Sequence, residues 1–151
     1  MKKMTLVAFF VATLSGSVFA QAYSAEDAIK WRQSAYQILN WNMTRLDQNL
    51  NGAQFNKDDA IKAANTIAAI ANSGMGQLYF AGSDKSDKIK TNVRPEMYTD
   101  TQGAAKAAMS LAEQANALQK VAQTGDVAAI KAQVGKLGGA CKGCHDNFKK
   151  K

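Results

Sequence analysis

The feature that most constrains this chain is a Cys-Lys-Gly-Cys-His segment, Cys141 to His145, close to its C-terminal end. The Cys-x-x-Cys-His pattern is typical of covalent attachment of a c-type haem. Two thiols at this spacing reach the two vinyl groups on one edge of a porphyrin, and the adjacent imidazole then falls under the iron. If the segment is helical, Cys141, Cys144 and His145 stand at i, i+3 and i+4 and share one helix face. The motif therefore predicts one haem c, covalently bound through Cys141 and Cys144.

Three other interpretations of the motif exist. A plain disulfide or a redox-active dithiol would use the two cysteines alone, but a dithiol oxidoreductase needs a βαβ context that the chain does not show. A zinc site needs a fourth ligand, and the sequence contains only two cysteines and one histidine. Haem attachment is favoured, and a disulfide or dithiol is the alternative.

The N-terminal segment is predicted to be a secretory signal peptide. Two lysines precede an apolar run over residues 4–14, and small residues follow it, which is the usual layout of such a peptide. The run is too short to span a bilayer. Cleavage fits after Ala20 or after Ala22. We therefore predict a signal peptide over residues 1–20 and one domain over residues 21–151. Export to the periplasm agrees with the motif, because c-type haem is attached outside the bacterial cytoplasm.

The charge of the chain is a weak guide to its partners. The formal net charge falls from +7 to +5 when Lys2 and Lys3 leave with the signal peptide. The basic residues are scattered, and the one cluster, residues 149–151, suits the solvated C-terminal end of a helix. We predict no nucleic-acid partner and no membrane insertion after signal cleavage. An acidic redox protein is compatible with this charge, but the redox partner is unknown.

Hydrophobic periodicity predicts a long first helix. It begins at Ala25, with Ser24 as N-cap and Asp27 in a capping box. It ends at Asn51, with Gly52 expected in a left-handed cap. Apolar positions recur every three or four residues along one seam, which consists of Ile29, Arg32, Tyr36, Leu39, Met43, Leu46 and Leu50.

Three more helices are predicted downstream. The second begins at residues 56–58 and ends at residues 72–73, the third covers residues 101–122, and the fourth begins near Asp126 and carries the haem motif. Small residues dominate the apolar faces of the second and third helices, which lets a neighbouring helix or a flat cofactor approach closely. The fourth helix places both cysteines on its apolar seam.

The connection between Gly74 and Asp100 has no clear period of its own. Loops of this length in compact domains are usually functional, so we expect it to fold over the bundle and the haem edge. In no segment of the mature chain do apolar and polar residues alternate with period two, so no β-strand is predicted. The fold class is therefore all-α, an antiparallel four-helix bundle with the haem buried at one end.

The second axial position of the iron is left open by the sequence. His145 is the only histidine, so bis-histidine coordination and a second haem are excluded by count. The usual small electron carriers close that position with a methionine downstream of the motif, but only six residues follow His145 and none is Met. An upstream methionine is the alternative, and the candidates are Met43, Met75, Met97 and Met109. If none binds, the iron is five-coordinate and open to a small gas.

Two further blocks, Glu26 to Ala35 and Arg94 to Tyr98, together with the C-terminal motif, make the chain similar to the cytochrome c′ family. These blocks span essentially the whole mature sequence. Cytochrome c′ is a known example of the four-helix bundle. The resemblance implies a periplasmic monohaem protein, usually a homodimer, whose five-coordinate high-spin iron binds NO and CO.

The resemblance also implies roles for individual residues. Cys141 and Cys144 match the positions that carry the thioethers, and His145 matches the proximal iron ligand. Lys149 stands where the family often has arginine on the proximal side. The other matches are Arg32 and Gln33 near the haem propionates, Thr91 and Glu96 in the loop that lines the haem, and Tyr36 as the residue covering the distal face.

The residues themselves support part of this assignment. Arg32 and Tyr36 stand at i and i+4 on the apolar seam, and a guanidinium there needs an anionic partner. A propionate meets this need, and a salt bridge to a carboxylate is the alternative.

We therefore predict a gas-binding c-type cytochrome that also transfers electrons and is not an enzyme. The alternatives are a low-spin electron carrier with a Met ligand and a haem enzyme such as a peroxidase or NO reductase. The absence of a distal histidine counts against the enzyme.

Overall fold

The structure, a computed structural model, describes residues 23–151. The predicted signal peptide and both candidate cleavage sites lie outside this range. The described chain is helical, and its one β feature is an isolated antiparallel bridge between Val93 and Lys149. Four long helices and one single-turn helix follow in chain order: α1 (Ala25–Asn51), α2 (Lys57–Ala71), α3 (Glu96–Thr99), α4 (Thr101–Ala122) and α5 (Val127–Phe148).

The helix N-termini are fixed by polar caps, of which the sequence predicts the one at Ser24. The Ser24 hydroxyl oxygen accepts a hydrogen bond from the Asp27 N–H at 3.1 Å, and Asn56, Asp100 and Asp126 cap α2, α4 and α5 in the same way. Each cap satisfies an N–H that has no partner within its own helix. The predicted starts of all four long helices are therefore confirmed.

The predicted left-handed cap at Gly52 is wrong. Its backbone is extended, with φ −72° and ψ 169°. A Cβ at this position would lie 3.0 Å from the Gln48 carbonyl oxygen, so close approach of the backbone explains the glycine. The left-handed glycines that bear on helix ends are instead Gly74, with φ 79°, and Gly125, with φ 76°. Gly125 allows the tight reversal between α4 and α5.

Among the four long helices, the closely packed pairs are α1 with α2, α2 with α4, and α4 with α5. Short connections at residues 52–56 and 123–126 make two of these pairs antiparallel neighbours. The helices α1 and α5 are not among the closely packed pairs. The core lies between the packed helices and includes Leu46, Leu50, Ile67, Leu118, Ile130 and Leu137, with alanines of α2 and α4 filling the gaps.

The connection between α2 and α4 holds more regular structure than the sequence indicates. It contains a 3₁₀ helix, Met75–Leu78, and the single turn of α3. Its residues 92–94 run beside the end of α5, where the Arg94 N–H donates to the Phe148 carbonyl at 2.9 Å. The Lys150 N–H donates to the Asn92 carbonyl at 2.7 Å. These bonds join the connection to the end of the helix that carries the haem motif.

Among residues 23–151, no helix has both the length and the apolar character that a membrane crossing requires.

Candidate haem site

The Cys-x-x-Cys-His residues lie on the last two turns of α5, beyond the packed core. Cys141 and Cys144 are half-buried and His145 is exposed. The two sulfurs are not joined in a disulfide, and burial raises the pKa of each thiol. A redox-active dithiol has a lowered thiol pKa. The direction of these shifts therefore disfavours the dithiol interpretation.

Tyr36 of α1 lies in the same region as the two cysteines. Burial is the main cause that raises the pKa of Tyr36, and charge interactions with Cys144 and Cys141 raise it further. This is the side of the bundle where α1 and α5 do not pack closely. Two thiols and an imidazole on one helix match the attachment chemistry of a c-type haem.

The arrangement does not fit a bare metal ion. Within residues 23–151, no group of three or more His, Cys, Asp or Glu side chains gathers around a common point. The thiols and the imidazole stand side by side along the helix. That arrangement suits attachment to an extended flat ring and counts against the zinc interpretation.

Tyr79 is a site residue that the sequence analysis did not single out. Its hydroxyl donates to the Tyr36 hydroxyl at 3.4 Å, and the Arg32 guanidinium lies 4.6 Å from the centre of its ring. Burial is the main cause that raises the pKa of both phenols, although solvent still reaches 37% of Tyr36. No local sequence pattern links positions 36 and 79, because they meet only when the connection folds onto α1.

Arg32 is buried, with 2% of its surface exposed. Its guanidinium donates to the Leu78 carbonyl at 2.9 Å, to both oxygens of Ser83 and to the Thr91 hydroxyl at 3.3 Å. All four acceptors are neutral oxygens of the connection. The alternative of a salt bridge to a carboxylate is therefore not seen, and the predicted propionate contact stays a prediction.

The other residues matched to the haem surroundings fall into two groups. The Gln33 amide donates to the Lys90 carbonyl at 2.8 Å, one residue before Thr91. Glu96 pairs with Arg94 at 2.7 Å, and the hydrogen bond from Arg94 is the main cause that lowers the Glu96 pKa. Arg32, Gln33 and Thr91 thus meet where α1 contacts the connection, whereas Glu96 belongs to the segment beside the end of α5.

A basic hollow of about 850 Å³ adjoins His145. Burial and the charge of Lys149 lower the His145 pKa. Both effects disfavour the imidazolium and leave a nitrogen lone pair available for iron. The hollow is lined by Arg94, Lys142, His145, Asp146, Lys149, Lys150 and Lys151.

The candidate methionine ligands are scattered. Met43 packs against the hydrophobic core, and it lies about 10 Å along α1 from Tyr36, given 1.5 Å per residue. Met109 is exposed on α4. Met75 begins the 3₁₀ helix, and Met97 lies in α3.

The fold and the site together define a helical-bundle protein of the c-type haem class. The family model described as Cytochrome C′ matches residues 27–149. Cytochrome c′ of Rhodocyclus tenuis is 56% identical over 128 residues, covering 84% of this chain and 96% of that protein. The crystal structure of cytochrome c′ from Thermochromatium tepidum covers 87% of this chain and 100% of its own, with a TM-score of 0.83 and 40% identity.

A second solved cytochrome c′, described as having ligand-controlled dimer dissociation, is 42% identical with a TM-score of 0.84. It covers 87% of this chain and 100% of its own. The chain belongs to the cytochrome c′ family, as the sequence predicted. The cofactor of this family is haem c, and the Cys-x-x-Cys-His spacing at residues 141–145 is consistent with its attachment.

Proposed function

We propose that this protein is a periplasmic monohaem cytochrome with a five-coordinate, high-spin iron that binds NO and CO and exchanges electrons. When bound, the haem supplies an iron centre that changes between ferrous and ferric states and accepts a small gas. In this proposal Cys141 and Cys144 form the two thioether bonds, and His145 supplies the proximal nitrogen. The observation that carries the proposal is the Cys-x-x-Cys-His motif at the end of α5, in a chain that belongs to the cytochrome c′ family.

The position of Tyr36 explains why an open site is expected. A neutral phenol is a poor iron ligand, and burial raises the pKa of Tyr36, so ionisation to a phenolate is disfavoured. As the proposed distal residue, the ring nevertheless hinders large ligands sterically. A small diatomic gas needs only a limited displacement of the ring, so Tyr36 selects by size.

Relatives support gas binding. Solved structures of Alcaligenes xylosoxidans cytochrome c′ variants hold NO and CO, on the same fold with TM-scores of 0.76. In the relative at 42% identity, a ligand controls dimer dissociation. These facts concern those proteins, and they support a similar capacity here.

We further propose that Arg32 and Gln33 lie near the haem propionates and that Thr91 and Glu96 line the haem. Arg32 is a buried cation whose hydrogen bonds all go to neutral oxygens. A nearby anionic group would lower the free energy of that charge. A propionate meets this electrostatic need.

Trp31, Ile38 and Trp41 on α1 support a homodimer. They are 49%, 48% and 57% exposed and stand at i, i+7 and i+10, which places them on one side of the helix. An exposed apolar strip of this kind suits a second copy of the same chain. Sedimentation velocity should give twice the monomer mass for the wild type and the monomer mass for Ile38→Glu. A monomeric wild type at micromolar concentration would contradict the dimer.

Export to the periplasm is proposed from the signal-like N-terminus and from the haem motif. Enzymatic turnover is not part of the proposal, because the proposed distal residue, Tyr36, is a phenol with a raised pKa, which is a poor acid or base at neutral pH.

The absorption spectrum of the purified ferrous protein before and after addition of CO tests the proposal. A high-spin spectrum that changes to a low-spin, CO-bound spectrum is expected. A low-spin ferrous spectrum that CO does not alter would contradict it and would indicate a sixth ligand from the protein. In that case Met43→Ala tests whether the sixth ligand is Met43, since a changed spectrum would indicate a low-spin electron carrier with this methionine as iron ligand.

A further inference from the structure

Tyr79 contacts the residue that we propose as the distal wall, and its role is not explained by attachment of the cofactor. It follows the 3₁₀ helix in the connection between α2 and α4. Its hydroxyl donates to the Tyr36 hydroxyl at 3.4 Å. The two residues are 43 positions apart in the sequence, so the contact depends on the fold of the connection.

Tyr79 is itself held in place by the protein interior. The Arg32 guanidinium lies 4.6 Å from the centre of the Tyr79 ring, within the range of a cation–π interaction. Arg32 is in turn fixed by four hydrogen bonds to Leu78, Ser83 and Thr91. Tyr36 thus contacts Tyr79, and Tyr79 in turn packs on the buried Arg32 guanidinium.

The direction of the contact matters as well. Tyr79 is the donor and Tyr36 the acceptor, so the hydrogen bond lowers the pKa of Tyr36 and raises that of Tyr79. Moving the Tyr36 ring away from its place breaks this bond. The Tyr79 hydroxyl therefore stabilises the arrangement in which Tyr36 covers the distal side.

We infer that Tyr79 is a positioning residue that holds Tyr36 over the distal side and thereby slows the binding of small gases. This inference rests on the proposed function. Tyr79 acts through Tyr36 and is not assigned a contact with the gas.

Stopped-flow CO binding to the ferrous protein tests this role with Tyr79→Phe, which removes the hydroxyl and keeps the ring over Arg32. The association rate constant is expected to rise only roughly two- to fivefold, because the 3.4 Å between the two hydroxyls is longer than the usual O–H···O distance of about 2.5–3.0 Å and the bond is weak. Tyr98→Phe is the matched control, since it removes another phenol hydroxyl of the same connection, one that lies 3.2 Å from the Ser83 hydroxyl. The control is expected to bind CO at the wild-type rate.

The double variant Tyr36→Phe with Tyr79→Phe separates positioning from a general loosening of the loop. If the two hydroxyls act through each other, the double variant binds CO at nearly the rate of the single variants. The denaturant midpoint gives a readout that involves no gas. It is measured for the wild type, Tyr36→Phe, Tyr79→Phe and the double variant, and the losses of stability in the two single variants should not add in the double variant.

Three results would overturn the inference. These are a wild-type rate in Tyr79→Phe, an equal rise in Tyr98→Phe, or single effects that multiply in the double variant. Failure of the proposed function is a different result, namely a wild-type ferrous protein that does not bind CO at all.

Discussion

The Arg32 guanidinium donates to both oxygens of Ser83, with distances of 3.1 Å to the hydroxyl and 2.5 Å to the carbonyl. Ser83 is fully buried, and its hydroxyl also accepts from the Phe80 N–H at 3.1 Å. One side chain of α1 thereby fixes the start of the long connection. This contact determines where Thr91 and Tyr79 lie relative to the first helix.

Arg32→Gln should destabilise the protein by about 2–4 kcal/mol, because buried carbonyl and hydroxyl oxygens lose charged donors. Denaturant unfolding measures this change. Arg45→Gln is the control, since Arg45 pairs with Asp59 at a partly exposed site, and its loss should cost about 0–1 kcal/mol. Equal losses in the two variants would contradict the role assigned to Arg32.

Tyr36→Ala should raise the CO affinity of the ferrous protein by roughly tenfold, which corresponds to about 1.4 kcal/mol. The reason is that the bulky side chain proposed to cover the distal side is removed. Equilibrium CO titration gives the affinity. Gln48→Ala changes an exposed residue of the same helix outside the apolar strip of Trp31, Ile38 and Trp41, and it should leave the affinity unaltered. An unchanged affinity in a folded Tyr36→Ala protein would exclude the distal role.

Cys141→Ala and Cys144→Ala should each keep one thioether, and the double variant should carry no covalent haem. Denaturing gel electrophoresis with a haem stain distinguishes these outcomes, since only covalently bound haem migrates with the chain. His145→Ala is the control for attachment, because it removes the proposed iron ligand and keeps both thiols. Covalent haem in the double cysteine variant would disprove the attachment site.

The protein should lose stability as the pH rises above 10. Burial raises the pKa of Tyr36 and Tyr79 above their ordinary value of 10.0. Above pH 10 the unfolded chain therefore releases these protons more readily than the native state, so alkali favours unfolding. Below pH 10 both phenols stay protonated in the native and the unfolded state, so their contribution to stability is fully present. Denaturant unfolding measures this effect. Above pH 10 the free energy of unfolding should decline more steeply with pH in the wild type than in Tyr79→Phe, and parallel declines would contradict the raised pKa of Tyr79.

Two glycine substitutions should have opposite effects on stability. Gly135 lies in α5, and a Cβ added there meets no atom within 4 Å, so Gly135→Ala should stabilise by about 0.5–1 kcal/mol. Gly125 has φ 76°, and its Cβ would lie 2.9 Å from Lys57 Cδ. Gly125→Ala should therefore destabilise by about 1–2 kcal/mol. Thermal unfolding reports both, and effects of the same sign would refute this prediction.

The helices were predictable because their signals are local. Ser24 with Asp27, and Asp100 with Gly103, are polar caps within three residues of the N–H groups they satisfy. The predicted third helix, Thr101–Ala122, coincides with α4. Gly52 was misjudged because a glycine at a helix end serves either a left-handed backbone or close packing. Sequence alone does not distinguish these two uses.

The sequence by itself determined the four-helix fold class, the Ser24 cap and the candidate attachment at Cys141, Cys144 and His145, since each depends on residue spacings along one helix. Only the tertiary structure decided that Tyr79 contacts Tyr36 and that Arg32 is held by Leu78, Ser83 and Thr91. The physical reason is that these contacts join residues more than 40 positions apart through a connection with no periodic pattern. Their geometry follows from how that connection packs on α1.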